Sequence, residues 1–253
     1  MQMDYYAYRS GMRHWHAGVK AALAVGTLCM VLLANRLLVS LLVILSMTQL
    51  TLWQGKVKWK EYWHLLRIPL VFISFQAFMI AIIFARQPIG EWNIDGYFMY
   101  LCLTRESLWS AGRVFCKAMA GMSAVYMLAL STPMYELILV LQKLHLPKLM
   151  IELMHLIYRY LFILLEVAEQ MQISAQSRMG YHNFRSSCKS FAGIGANLFL
   201  ISLQKANSYY DALLARGYDG TLTFLTENKE IRMWQIMGMI LYFIMLTGIA
   251  MIR

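Results

Sequence analysis

Charge is scarce in this chain. Only 14% of its 253 residues are Asp, Glu, Lys or Arg, against about a quarter in soluble globular proteins. That shortage excludes an ordinary soluble enzyme. The 60% share of apolar residues excludes a disordered chain. Four prolines and fifteen glycines are too few for a collagen-like or low-complexity sequence. Cysteine is sparse and unpatterned: Cys29, Cys102, Cys116 and Cys188 form no C-x-x-C pair. Neither a disulfide framework nor a zinc site is expected of them, and free, buried thiols are. The first sixteen residues are aromatic and charged, with no apolar core before a small-residue cleavage site, so no cleavable leader is expected. No G-x-x-x-x-G-K-[ST] string occurs, so the chain is not expected to hydrolyse ATP itself.

What is present is apolar sequence in long runs. A spanning helix needs about 17–25 mostly apolar residues. Five stretches qualify: Ala17–Ala34, 37–53, 65–85, 114–130 and 233–252. The first two form a hairpin about Asn35-Arg36. No Asp or Glu falls inside any of them. Lys20, Arg67, Arg113 and Lys117 lie toward span ends, where long cationic side chains can snorkel. Intramembrane acids would mark a transport path, so their absence disfavours a self-contained channel or secondary transporter.

Orientation follows from Lys and Arg beside the spans. Arg9 and Arg13 precede the first span, and Lys56, Lys58 and Lys60 follow the second. The 86–112 connection carries Arg86 and Arg105 against Glu91, Asp95 and Glu106. The N-terminus and the Lys56–Lys60 loop are therefore expected inside, and 86–112 outside. The net charge of +10 is read as this cytoplasmic excess and not as a nucleic-acid-binding surface. Trp53, Trp59, Trp63, Trp92 and Trp109 near the span ends suit an interfacial belt in a lipid bilayer.

The expected organisation is a four-span region (1–131), a cytoplasmic insert (132–232) and a last span (233–253). The insert holds ten basic and eight acidic residues among many Leu, Ile, Met and Tyr, the composition of amphipathic helices. Pro133 suits a helix start, with a first helix over 134–145. A second is expected from Pro147 to Arg178. Its polar residues Glu152, His155, Arg159, Glu166, Glu169 and Gln170 fall at helical spacing. Its wide apolar face, with Leu153, Ile157 and Leu164, needs another helix or the bilayer surface as partner. A break is expected through the polar run after Met179-Gly180. A third helix would then cover 191–215 and end at Gly217.

Two of these helices end in an arginine in a small-residue setting: Ser177-Arg178-Met179-Gly180 and Ala215-Arg216-Gly217. One reading is complementation of the helix dipole, worth a few tenths to about 1 kcal/mol. The other is a pair of plugs for a partner's groove, with each guanidinium offering a forked donor.

These residues also carry a resemblance. The string Ala212-Leu213-Leu214-Ala215-Arg216-Gly217-Tyr218-Asp219-Gly220 is its most specific part. Thr132-Pro133, Leu146-Pro147, Ile157-Tyr158-Arg159-Tyr160-Leu161-Phe162 with Glu166, and Gln176-Ser177-Arg178 extend it over roughly 131–220. The chain resembles the transmembrane (T) component of energy-coupling factor transporters, most closely the cobalt-type, CbiQ-like subfamily. The resemblance implies an all-α integral membrane protein with about five spans and long cytoplasmic coupling helices. It implies that Ser177, Arg178, Met179, Ala215, Arg216 and Gly217 dock a pair of ABC-type ATPase subunits. The second motif has the family's Ala-Arg-Gly form; the first departs from it with Ser and Met about the arginine. A separate small membrane protein would capture the substrate, and this chain would transmit ATPase motion without catalysing a reaction or binding a cofactor. Cobalt is the cargo the subfamily implies; nickel or a vitamin is the alternative.

Six histidines leave one metal-like pattern, His14-Trp15-His16. Residues at i and i+2 face different sides of a helix, so no metal site is expected there. Twenty methionines suit sliding surfaces between mobile subunits. A membrane-embedded transferase is the rival class, but Glu91, Asp95 and Asp211 show no pairing in sequence.

Overall fold

The computed structural model describes residues 2–34, 36–85, 92–95, 100–144, 146–220, 229 and 232–251. Asn35, Arg86, Glu91, His145, Glu227 and Glu230 lie outside the described residues, as do the side chains of Trp92, Asp95 and Cys102.

The chain divides into two compact units, 1–140 with 228–253, and 141–227. In the first, a short helix α1 (Gln2–Arg9) and a 3-10 turn (Gly11–His14) lead into α2 (Ala17–Ala34). Then come α3 (Leu37–Gln49), which continues as a π-helical turn through Gln54, and α4 (Trp59–Ala81). After α5 (Arg105–Ser131) and α6 (Met134–Lys143), α9 (Met233–Met251) completes the unit. The helices Ala17–Ala34, Leu37–Gln54, Trp59–Ala81, Arg105–Ser131 and Met233–Met251 are long and apolar enough to cross a membrane.

The α4–α5 connection is not bare loop. Strands β1 (Ile82–Ala85), β2 (Trp92–Asp95) and β3 (Tyr100–Leu103) form an antiparallel sheet in the order β1-β3-β2. Thr104 and Ser107 form a capping box at the start of α5. The Ser107 hydroxyl also donates to the Ala81 carbonyl at 2.9 Å, so one side chain joins the end of α4 to the start of α5. Helix α5 therefore starts nine residues before the apolar run begins, and α4 starts six residues early.

Helix α5 is the centre of this unit and packs against α2, α3 and α4. Its small residues Ala120 and Ala124 meet Leu23 and Val31 of α2, Val43 and Met47 of α3 and Leu246 of α9 in one buried cluster. Small side chains at a helix interface let backbones approach closely, the main source of attraction when both surfaces are apolar. Tyr62 and Leu66 of α4 bury against Tyr126 and Leu130 of α5. Pro69 lies inside α4 and cannot donate to the carbonyl four residues back. The Tyr126 hydroxyl donates to that Leu65 carbonyl instead, at 3.0 Å. Lys117 likewise donates to the Leu32 carbonyl at 2.7 Å, satisfying the last turn of α2.

Three expectations need correction here. Lys20 does not snorkel: it is 1% exposed and lies 3.7 Å from the Glu136 carboxylate. Arg67 is exposed, but it is the ninth residue of α4, and Arg113 and Lys117 are the ninth and thirteenth of the 27 residues of α5, so none of the three lies at a helix end. The cysteines are free but not buried: Cys29 and Cys188 are exposed and Cys116 is half-buried.

The second unit is a helical hairpin, α7 (Lys148–Ser177) and α8 (Phe184–Ala215). Helix α8 starts seven residues earlier than the apolar pattern indicates. The polar run is thus mostly helix, and the break shrinks to 178–183. Ser187 shows why a polar residue is tolerated there: its hydroxyl bonds back to the Asn183 carbonyl at 3.0 Å. Tyr160 of α7 meets Tyr209 of α8 edge to face, with ring centroids 5.4 Å apart, and the Arg159 guanidinium lies 5.9 Å from the Tyr209 centroid. Helix α8 has no buried residue at all. Leu153 and Ile157 of α7 are exposed and Leu164 is half-buried, so the described residues cover only part of the apolar face expected to be packed.

Candidate functional site

The two arginine-tipped helix ends share one backbone motif. At the end of α8, Arg216 is the C-cap and Gly217 takes a left-handed conformation, φ +78°. The Gly217 N–H donates to the Leu214 carbonyl at 3.0 Å, and the Tyr218 N–H to the Leu213 carbonyl at 3.1 Å. This pair of bonds is a Schellman motif. At the end of α7, Arg178 is the C-cap and Met179 is left-handed, φ +58°. The Met179 N–H donates to the Gln176 carbonyl at 3.0 Å, and the Gly180 N–H to the Ala175 carbonyl at 2.8 Å. The two ends therefore match bond for bond, although Met stands where a glycine is usual.

A side chain in the left-handed region costs about 1–2 kcal/mol. At the first tip a tether from the neighbouring helix accompanies that cost. The Ser190 hydroxyl of α8 donates to the Gly180 carbonyl at 2.9 Å. Glycine is needed at 180 for a different reason from that at 217. A Cβ there would lie 2.6 Å from Ser190 Oγ and 2.8 Å from the Ala175 oxygen, whereas a Cβ at Gly217 would meet nothing within 4 Å. The departure from Ala-Arg-Gly at 177–179 thus leaves the backbone geometry unchanged. Ser190 was not singled out by sequence. Its only signal is a small polar residue near the start of a helix, which is too common to be diagnostic.

Ser177, Arg178, Met179, Ala215, Arg216 and Gly217 are all exposed. The structure brings them together as two sets of three, not as one cluster. Arg178 lies just before α8 and Arg216 just after it. The 32 residues of α8 at about 1.5 Å each hold the two tips about 48 Å apart. Each offers a forked guanidinium beside backbone carbonyls that the Schellman bonds have already satisfied, an arrangement suited to insertion into a partner's groove. Along the hairpin, burial pushes the Tyr160 hydroxyl above its ordinary range, with Tyr209 adding to the shift. Burial pulls His155 below its own.

No three His, Cys, Asp or Glu side chains among the described residues are placed to hold a metal ion. His16 serves the local backbone, its Nδ1 accepting the Gly18 N–H at 3.0 Å at the start of α2.

Five long apolar helices define a multi-pass membrane protein, and a separate unit of the chain is a helical hairpin with an exposed arginine at the end of each helix. Comparison with known proteins makes this specific. The sequence model of the family described as cobalt transport protein, CbiQ, matches residues 9–225, and the chain belongs to that family. It is 28% identical to an uncharacterized protein of Methanocaldococcus jannaschii over 232 residues, 91% of this chain and 86% of that one. It is 31% identical to a putative fused cobalt transport protein CbiMQ of Methanocorpusculum labreanum over 198 residues, 77% of this chain and 33% of the longer one. It is 25% identical to the cobalt transport protein CbiQ of Salmonella typhimurium over 180 residues, 70% and 79% of the two chains.

Proposed function

We propose that this protein is the transmembrane coupling subunit of an ATP-driven importer of the energy-coupling factor type, serving cobalt uptake. Arg178 and Arg216 each seat one subunit of an ATPase pair. The hairpin converts the approach and separation of those subunits into displacement of the membrane helices. A separate membrane protein captures the ion and releases it when displaced. In this reading the four-span region 1–131 and the last span 233–253 are the membrane part, 132–232 is the coupling part, and the N-terminus and coupling part face the cytoplasm. The chain performs no chemistry itself.

The observation that supports this reading most is the matched geometry of the two tips. Two different sequences, Ser-Arg-Met and Ala-Arg-Gly, adopt the same exposed cap about 48 Å apart along one helix. Helix-dipole complementation alone would not require matched left-handed residues after each arginine. The fused relative's name, CbiMQ, also fits a chain of this family working beside a second transport component.

The test is charge reversal. Arg178→Glu and Arg216→Glu each remove an exposed side chain, so thermal stability should stay within about 0.5 kcal/mol. Each should lower co-purification of the ATPase pair at least ten-fold, and the double variant should abolish cobalt uptake. Assembly and uptake that survive both reversals would refute the docking role.

A further inference from the structure

The points where the chain leaves and re-enters the membrane unit are tied by one buried carboxylate. That unit comprises residues 1–140 and 228–253. Glu136, in the first turn of α6, lies just before the exit, and Lys229 just after the return. Lys229 Nζ donates to Glu136 Oε1 and, at 2.6 Å, to the Arg13 carbonyl. Lys20, in the first turn of α2, donates to the Ser131 carbonyl at 2.9 Å and the Met12 carbonyl at 3.3 Å. Its Nζ stands 3.7 Å from Glu136 Oε2, which has no hydrogen-bond partner of its own among the described residues. The Tyr135 hydroxyl donates to Oε1 at 3.1 Å.

Glu136 is 4% and Lys20 1% exposed. Replacing a whole buried ion pair by apolar residues of equal volume is often neutral or stabilising, whereas removing one partner leaves a buried charge uncompensated and is strongly destabilising. The arrangement here joins five chain segments: the 3-10 turn, the start of α2, the end of α5, the start of α6 and the residue at 229. Two of those five are the only covalent routes between the membrane unit and the 141–227 hairpin.

We propose that Glu136, Lys229 and Lys20 form a force-bearing joint, which keeps both connections to the coupling hairpin fixed to α2 and α5 so that hairpin displacement moves the spans. All three are positioning residues. The proposal rests on the coupling role above, and its test separates the two.

On the full chain in lipid nanodiscs, with the native cysteines replaced, nitroxides are placed at exposed Leu38 and Ile173, one in each unit. Their distance distribution is measured by pulsed electron paramagnetic resonance. Glu136→Gln and Lys229→Met should each broaden it at least two-fold. Lys229 is 20% exposed and its loss leaves Lys20 beside Glu136, so Lys229→Met decides the matter should Glu136→Gln fail to fold. In the complex with the ATPase pair, Lys229→Met should lower cobalt uptake at least ten-fold and leave ATP hydrolysis within two-fold. A reducible bis-methanethiosulfonate bridge across Glu136→Cys/Lys229→Cys should restore uptake, and reduction should remove it again. A distribution of unchanged width in Lys229→Met, or a bridge that restores nothing, overturns the joint. Failure of the unmodified chain to associate with an ATPase overturns the coupling role instead, and the label widths still decide whether the joint exists.

Discussion

Opposite exchanges at the left-handed positions, Gly217→Ala and Met179→Gly, should loosen one arginine tip and tighten the other. Gly217 is left-handed with φ +78°, and a Cβ there would meet nothing within 4 Å. Gly217→Ala therefore carries no steric penalty from neighbours, only the backbone cost of about 1–2 kcal/mol. The smaller conformational freedom of Ala in the frayed state offsets part of this, leaving about 1 kcal/mol against the ordered cap. That is about a five-fold shift toward fraying. Met179 already bears the same cost at φ +58°, so Met179→Gly should tighten its cap by about the same factor. The readout is amide exchange of the two N–H groups that close the motifs, Tyr218 on Leu213 and Gly180 on Ala175. Exchange at Tyr218 should speed up about five-fold in Gly217→Ala, and exchange at Gly180 should slow about five-fold in Met179→Gly. If ATPase docking uses the ordered cap, affinity should fall in the same proportion for Gly217→Ala. Shifts of the same sign in both variants, or none at Tyr218, would show that the left-handed residues do not set the order of the tips.

Two further outcomes concern the membrane unit. Tyr126→Phe strips the Leu65 carbonyl of its donor, since Pro69 has none to offer, and should cost about 1–3 kcal/mol in a reversible detergent-unfolding titration. Pro69→Ala in the same chain should recover most of that loss by returning an N–H to the helix; a double variant as unstable as Tyr126→Phe would count against this account. The second outcome is alkaline. Burial, with the Glu136 charge next, raises the Tyr135 hydroxyl from 10.0 to about 12. Above pH 10 the unfolded chain loses this proton while the folded chain keeps it. The contribution is thus whole below about pH 10 and fades as pH rises to about 12. Tyr135→Phe should flatten that part of the melting-temperature profile, and an unchanged slope would remove Tyr135 as the cause.

The spans were legible because apolar length survives any rearrangement of neighbours. Ala17–Ala34 is the same in sequence and structure, and α9 covers every described residue of the expected 233–252 span. The starts of α4 and α5 were not legible. Trp59, Lys60, Glu61, Arg105 and Glu106 are polar or interfacial, and hydropathy discards them although a helix carries them readily. The start of α8 was hidden for the same reason: Arg185, Ser186, Ser187 and Lys189 read as loop by composition. The tips were legible as Arg flanked by small residues, but Met179 hid the first Schellman motif, because a left-handed Met has no sequence signature.

The Lys20–Glu136 pairing was illegible for a deeper reason. The two residues lie 116 positions apart, and nothing local in either segment requires the other. A lysine three residues inside an apolar helix has two solutions, reaching out to the interface or finding a buried acid, and sequence spacing does not choose between them. The choice is made by Ser131 and Met12, whose carbonyls converge on the ammonium. They can converge only because α5 runs to residue 131 and the chain then turns at Pro133, which puts Glu136 into the first turn of the next helix. A residue that resembles an interfacial anchor thus becomes a fixed point of the fold, at the place where a protein that carries motion between two units would need one.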